Sequence, residues 1–167
     1  GETLAIVGES GCGKSTTGRL LMGLIEPDSG SVEFEGRRIG GAGGVPLKEF
    51  RKHVQMVFQD SAGSLNPRLP IVDTIAFGPI VHGVRTAEAR AKAEVLLAEV
   101  GLPPKAFARR YPHELSGGQG QRVNIARALA FEPRVLILDE AVSALDKSVS
   151  AQIINLLMKL RTDRNLA

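Results

Sequence analysis

Apolar positions along this chain fall into short unbroken runs and longer stretches with helical spacing. Leu4 to Val7 form a strand-like run that feeds a glycine-rich loop, and the pattern from Thr16 to Leu24 continues as a helix. After the turn signal Pro27-Asp28-Ser29-Gly30, Val32 and Phe34 alternate with Glu33 and Glu35, the period-two rhythm of a half-buried strand. "GGAGG" (Gly40 to Gly44) reads as a flexible loop, and "HVQMVFQD" as a second strand. From Ser61 to about Gly83, prolines at positions 67, 70 and 79 predict irregular chain. "TAEARAKAEVLLAEVGL" predicts a helix with Thr86 as N-cap and Gly101 as stop. "LSGGQ" opens a further helix to about Phe131. "RVLILDE" is continuously apolar, the pattern of a strand buried on both faces of a parallel sheet, and a last helix runs from about Ser148 to Leu160. There is no repeat and no linker between independent domains.

Composition narrows the class only slightly. The 167 residues suffice for one domain with one sizeable core. Net charge is +3, from 21 basic and 18 acidic residues, and forms no basic stripe, so nucleic acid is not an expected partner. A single cysteine, Cys12, rules out an intrachain disulfide and a cysteine zinc cluster. No apolar run approaches the roughly 20 residues that span a bilayer, and no signal-peptide pattern is present. The expectation is a soluble protein of a reducing compartment that meets a membrane only through a partner. The first apolar run begins almost without lead-in and the last helix ends in a polar tail, so the chain reads as a fragment.

Two stretches carry phosphate chemistry. In "GESGCGKST", Gly8, Gly13, Lys14 and Ser15 satisfy the spacing G-x-x-x-x-G-K-S/T between a strand-like and a helix-like segment. Glycines let backbone N–H groups wrap a phosphate, the helix N-terminus adds partial positive charge, Lys14 adds a full one, and the Ser15 hydroxyl suits Mg²⁺. Glu9, Ser10, Gly11, Cys12 and Thr16 complete this phosphate-binding loop. In "LILDE", Asp139 ends the apolar run at the C-terminal edge of the sheet and is placed to hold Mg²⁺. Glu140 is placed to orient or deprotonate an attacking water.

The second glycine loop, "LSGGQ", has no lysine. With "GESGCGKST", Gln59 in "MVFQD", "LILDE" and "SALD" (Ser143 to Asp146), it makes an ordered set that resembles the nucleotide-binding subunit of ATP-binding cassette (ABC) transporters over nearly the whole chain. The resemblance implies a P-loop α/β core with a mostly parallel sheet, a small antiparallel β part and an inserted α-helical subdomain. The expected divisions are residues 1–60 for the first part of the core, 61–115 for the helical subdomain and 116–167 for the rest.

Further implications concern the active complex. Two subunits pair head to tail, and Ser116, Gly117, Gly118 and Gln119 contact the γ-phosphate of the ATP on the partner's first loop. Gln59 reaches Mg²⁺ and the water, and Asp146 lies at the dimer interface. Glu140, Lys14 and Gln59 form the catalytic set, and Ser15, Gln59 and Asp139 the metal set. Permease subunits hold the ATPase at the cytoplasmic membrane face, with an extracytoplasmic solute-binding protein as an indirect partner, and the segment after Gln59 faces the permease.

"FQDSAGSLNPR", "YPHELSGGQGQRVNIARAL" and "DEAVSALDKSVSAQIINLL" resemble the ATPases of peptide and nickel importers. Gly120 departs from the pattern, in which a larger residue is common, and predicts a looser first turn. The resemblance also implies an adenine-stacking aromatic upstream of the first loop and a switch histidine downstream of the last helix. His53, His82 and His113 all precede Asp139 and fill neither role. Rival readings are a chromosome-maintenance or repair ATPase, disfavoured by the lack of heptad arms, and a non-hydrolysing nucleotide switch, disfavoured by Glu140. Cys12, beside Lys14 and a helix start, is expected to react with thiol reagents when nucleotide is absent.

Overall fold

The computed structural model describes residues 1–60, 63–143 and 145–167. In chain order its elements are α1 (Lys14–Leu21), β1 (Glu33–Phe34), β2 (Arg37–Arg38), α2 (Leu47–His53), β3 (Val54–Val57), α3 (Ile71–Val81), α4 (Thr86–Glu99), α5 (Pro104–Phe107), α6 (Gly117–Leu129), β4 (Val135–Leu138) and α7 (Lys147–Arg164). β3 and β4 run parallel in the register Val54↔Val135 to Val57↔Leu138, and β1 and β2 form a separate antiparallel hairpin. Glu35 (φ 52°) and Gly36 (φ 73°) make its two-residue turn, both in the left-handed region that matches strand twist.

Among the described residues, two apolar clusters form the core. The larger gathers Ile71, Ile75 and Ala76 of α3, Leu96 and Leu97 of α4, Val123, Ile125 and Leu129 of α6, and Ile153 and Leu160 of α7 around Val57. The smaller packs Met22, Phe50, Val54 and Met56 with Phe34 and Ile137, beneath α1. α1 approaches closely because Gly18 has no side chain: a Cβ there would lie 3.2 Å from Met56 Cε.

Several sequence expectations are corrected. Leu4 to Val7 join no strand among the described residues, and Leu4 and Val7 are 89% and 92% exposed. An apolar run becomes a strand only beside a neighbour that takes its backbone hydrogen bonds. β4 is half-buried rather than covered on both faces, and Leu138 is exposed. The stretch expected to be irregular contains α3. Ile71, Ile75, Ala76 and Pro79 fall on one buried stripe, and Pro79 sits late enough to be tolerated in the last turns. α2, seven residues long, has no counterpart among those expectations. Thr86 is the first residue of α4 rather than its N-cap, which is Arg85, and Gly101 (φ 77°) ends that helix in the left-handed conformation. α7 extends beyond Leu160 to Arg164, after which Leu166 is buried. Ala167 hydrogen-bonds β4 through Arg134 O and Leu136 N.

Candidate phosphate-binding and hydrolysis site

The first loop and the end of β4 meet in one place. Gly11 (φ 82°) and Gly13 (φ 100°) take left-handed conformations that side-chain-bearing residues rarely adopt, and Gly13 is the N-cap of α1. Gly8, Glu9, Ser10 and Cys12 form the exposed rim, and the Cys12 N–H donates to Glu9 O. Lys14 Nζ donates to the carbonyls of Gly8 (2.9 Å) and Glu9 (2.8 Å) and lies 3.9 Å from Glu140 Oε1. Ser15 Oγ donates to Asp139 Oδ1 at 2.8 Å, across 124 residues of sequence. Gln59 Nε2 donates to Glu140 Oε2 at 3.1 Å. Thr16 is exposed in the first turn of α1.

Lys14, Ser15, Gln59, Asp139 and Glu140 thus come together although they belong to three separate stretches of chain. A hydroxyl and a carboxylate 2.8 Å apart beside a helix N-terminus are the hard oxygen donors that suit Mg²⁺ bound with phosphates. These residues fit a magnesium–nucleotide pair. Glu140 itself sits at φ 46°, a strained conformation for a non-glycine residue and one not legible in the sequence.

The second glycine loop is built separately. Ser116 is the N-cap of α6. Its Oγ accepts from Gln119 N at 3.4 Å, while Gln119 Oε1 accepts from Ser116 N at 3.1 Å. The Gln119 side chain is therefore engaged in a capping box. The N–H groups of Gly117 and Gly118 have no intrahelical acceptor. Gly118 also has a packing reason to be glycine: a Cβ would lie 2.5 Å from Val149 Cγ1 of α7. Gly120 is buried in a regular turn, its N–H donating to Ser116 O at 2.8 Å. Among the described residues this turn shares no hydrogen bond or ion pair with the first loop. Asp146 is exposed at the N-cap of α7 and makes no side-chain cap bond. The histidines have packing roles: His53 stacks on Phe34, His82 meets Phe131 edge-on and His113 stacks on Tyr111.

Residues 1–143 match the family described as ABC transporter. The chain belongs to the ABC transporter family. It is 54% identical over 168 residues to the glutathione import ATP-binding protein GsiA of Pectobacterium atrosepticum and 52% identical to that of Escherichia coli K12. Each match covers all of this chain and 27% of the relative, so the chain spans about a quarter of their length. The fold matches CbiO1 of Clostridium perfringens, described as part of the ABC transporter complex CbiONQ. The TM-score is 0.82 at 29% identity, covering 96% of this chain and 62% of that one. No helix among the described residues is long and apolar enough to cross a membrane.

Proposed function

We propose that the chain is the ATP-binding and hydrolysing part of an ABC importer. The observation that carries this reading is the convergence of Lys14 and Ser15 on Glu140 and Asp139, with Gln59 bonded to Glu140. In this reading residues Gly8 to Thr16 bind the phosphates of ATP, with Lys14 countering charge on the terminal phosphates. Ser15, Asp139 and Gln59 would hold Mg²⁺, which when bound neutralises charge developing on the transferred phosphate. Glu140 accepts a proton from the attacking water, and Gln59 holds that carboxylate in place.

The turn Ser116 to Gln119 supplies a hydroxyl and bare N–H groups to the γ-phosphate of ATP bound by a second, head-to-tail ATPase unit, and Asp146 lies at that interface. Its separation from the first loop supports this division of labour. Residues 61–115 act as a helical subdomain inserted between the two parts of the core. Permease subunits hold the ATPase at the cytoplasmic face of the membrane, and a solute-binding protein delivers cargo. The relatives' names favour glutathione or a similar small peptide as solute. The intact protein should bind MgATP and release phosphate, and Lys14→Ala should do neither. A Lys14→Ala protein that binds and turns over ATP like wild type would contradict the reading.

A further inference from the structure

Ser64 lies five residues after Gln59 and is held by α6 through two contacts. Its hydroxyl donates to Asn124 Oδ1 at 3.0 Å, and its carbonyl accepts from Arg127 Nη1 at 2.5 Å. Asn124 and Arg127 are three residues apart and so share one face of the helix. α6 begins at Ser116 and Gly117, so the residues gripping Ser64 sit roughly 10–15 Å along the same rod, at about 1.5 Å per residue. A packed helix is stiff over that distance. Ser64 and the turn carrying Ser116 are therefore fixed to one body.

Arg127 is costly to place here. It lines a groove of about 490 Å³ with Phe58, Ser64 and Phe131, and burial lowers its pKa from the ordinary arginine value. Among the described residues no carboxylate pairs with it; its guanidinium is committed to the Ser64 carbonyl. A partly desolvated cation held by one backbone carbonyl is poor stabilisation by itself, but it fixes the backbone at Ser64.

We propose that Arg127 and Asn124 are positioning residues for ATP hydrolysis. By gripping Ser64 they set the reach of Gln59 to Glu140 and tie it to the placement of the Ser116 turn. The proposal rests on the hydrolytic reading above. It differs from a merely structural role in its kinetic signature. Phosphate binding by the first loop does not pass through α6, so ATP affinity should stand while turnover falls.

The test is ATP titration and steady-state phosphate release in the intact protein. Misplacement by about 1 Å can cost ~100-fold, so Arg127→Ala should lower kcat by about ten- to a hundredfold, with ATP affinity within about twofold. Arg127→Lys, which keeps a donor for the carbonyl, should recover most of the loss and serves if the alanine variant does not fold. Ser64→Ala and Asn124→Ala should each lower kcat, and the double variant should lose no more than the worse single one, as for two ends of one interaction. Unchanged kcat in folded variants, additive losses, or matched losses of affinity and kcat would each overturn the clamp while leaving the hydrolytic reading intact. A wild-type protein without turnover would overturn both.

Discussion

Glu140 holds a left-handed backbone conformation where β4 gives way to the loop before α7, and its carboxylate receives Gln59 while facing Lys14. Such strain costs of order 1–3 kcal/mol and persists only where the surroundings impose it. Its neighbours in the loop lend themselves to direct tests. Cys12 is exposed, and its Sγ lies 4.0 Å from Lys14 Nζ. Maleimide should label it, and MgATP bound on the loop should protect it. Equal labelling with and without MgATP, followed by mass spectrometry, would count against nucleotide at this loop. Gly118 answers to two demands, since a methyl group there collides with Val149. Gly118→Ala should destabilise the fold by about 1–3 kcal/mol through overpacking, read by urea denaturation. Adding Val149→Ala should restore most of that stability. If the second substitution gives no recovery, the clash is not the cause. The residue types of the phosphate site were legible because loop chemistry demands glycine, lysine and serine at fixed spacing. The grip on Ser64 was not, because Asn124 and Arg127 look like any polar positions of an amphipathic helix.

Between elements, the contacts that matter join distant segments. Arg164 of α7 donates twice to the Glu99 carboxylate at the end of α4, at 2.8 and 2.6 Å. Its hydrogen bonds hold the Glu99 carboxyl below the usual carboxylate range, outweighing the opposing effect of burial. A depressed carboxylate stabilises the fold above its unfolded-state pKa, and that contribution is lost as pH falls through the folded-state value. The pair is partly exposed, so Glu99→Gln should cost only about 1 kcal/mol at neutral pH. The gap from wild type should close in acid, below the usual carboxylate range. Denaturant melts at both conditions check this, and a gap that persisted in acid would point to lost packing rather than charge. Element prediction succeeded where periodicity was long, as in α4 and α6. It missed α3 because prolines at 67, 70 and 79 masked the buried stripe of Ile71, Ile75 and Ala76, although that spacing was present in the sequence.

Across the whole molecule, one stretch of chain after another converges on the phosphate site. α1 is seated on the smaller cluster through Gly18 and carries Ser15 to Asp139, while β3 delivers Gln59 to Glu140. The strand expected at Leu4 to Val7 marks the limit of reading locally: its apolar run was plain, but pairing depends on neighbours that local pattern does not reveal. The central claim is that Glu140 performs the proton transfer while the glycine loop and Lys14 hold ATP. Phosphate release and retained nucleotide, measured together on the intact wild-type protein and its Glu140→Gln variant, test it most directly. The amide cannot act as a base, and the variant leaves the phosphate-binding loop unaltered. The expected result is ATP bound with near wild-type affinity and turnover reduced by at least about a hundredfold. Turnover near the wild-type rate, or loss of ATP binding in parallel with turnover, would contradict it.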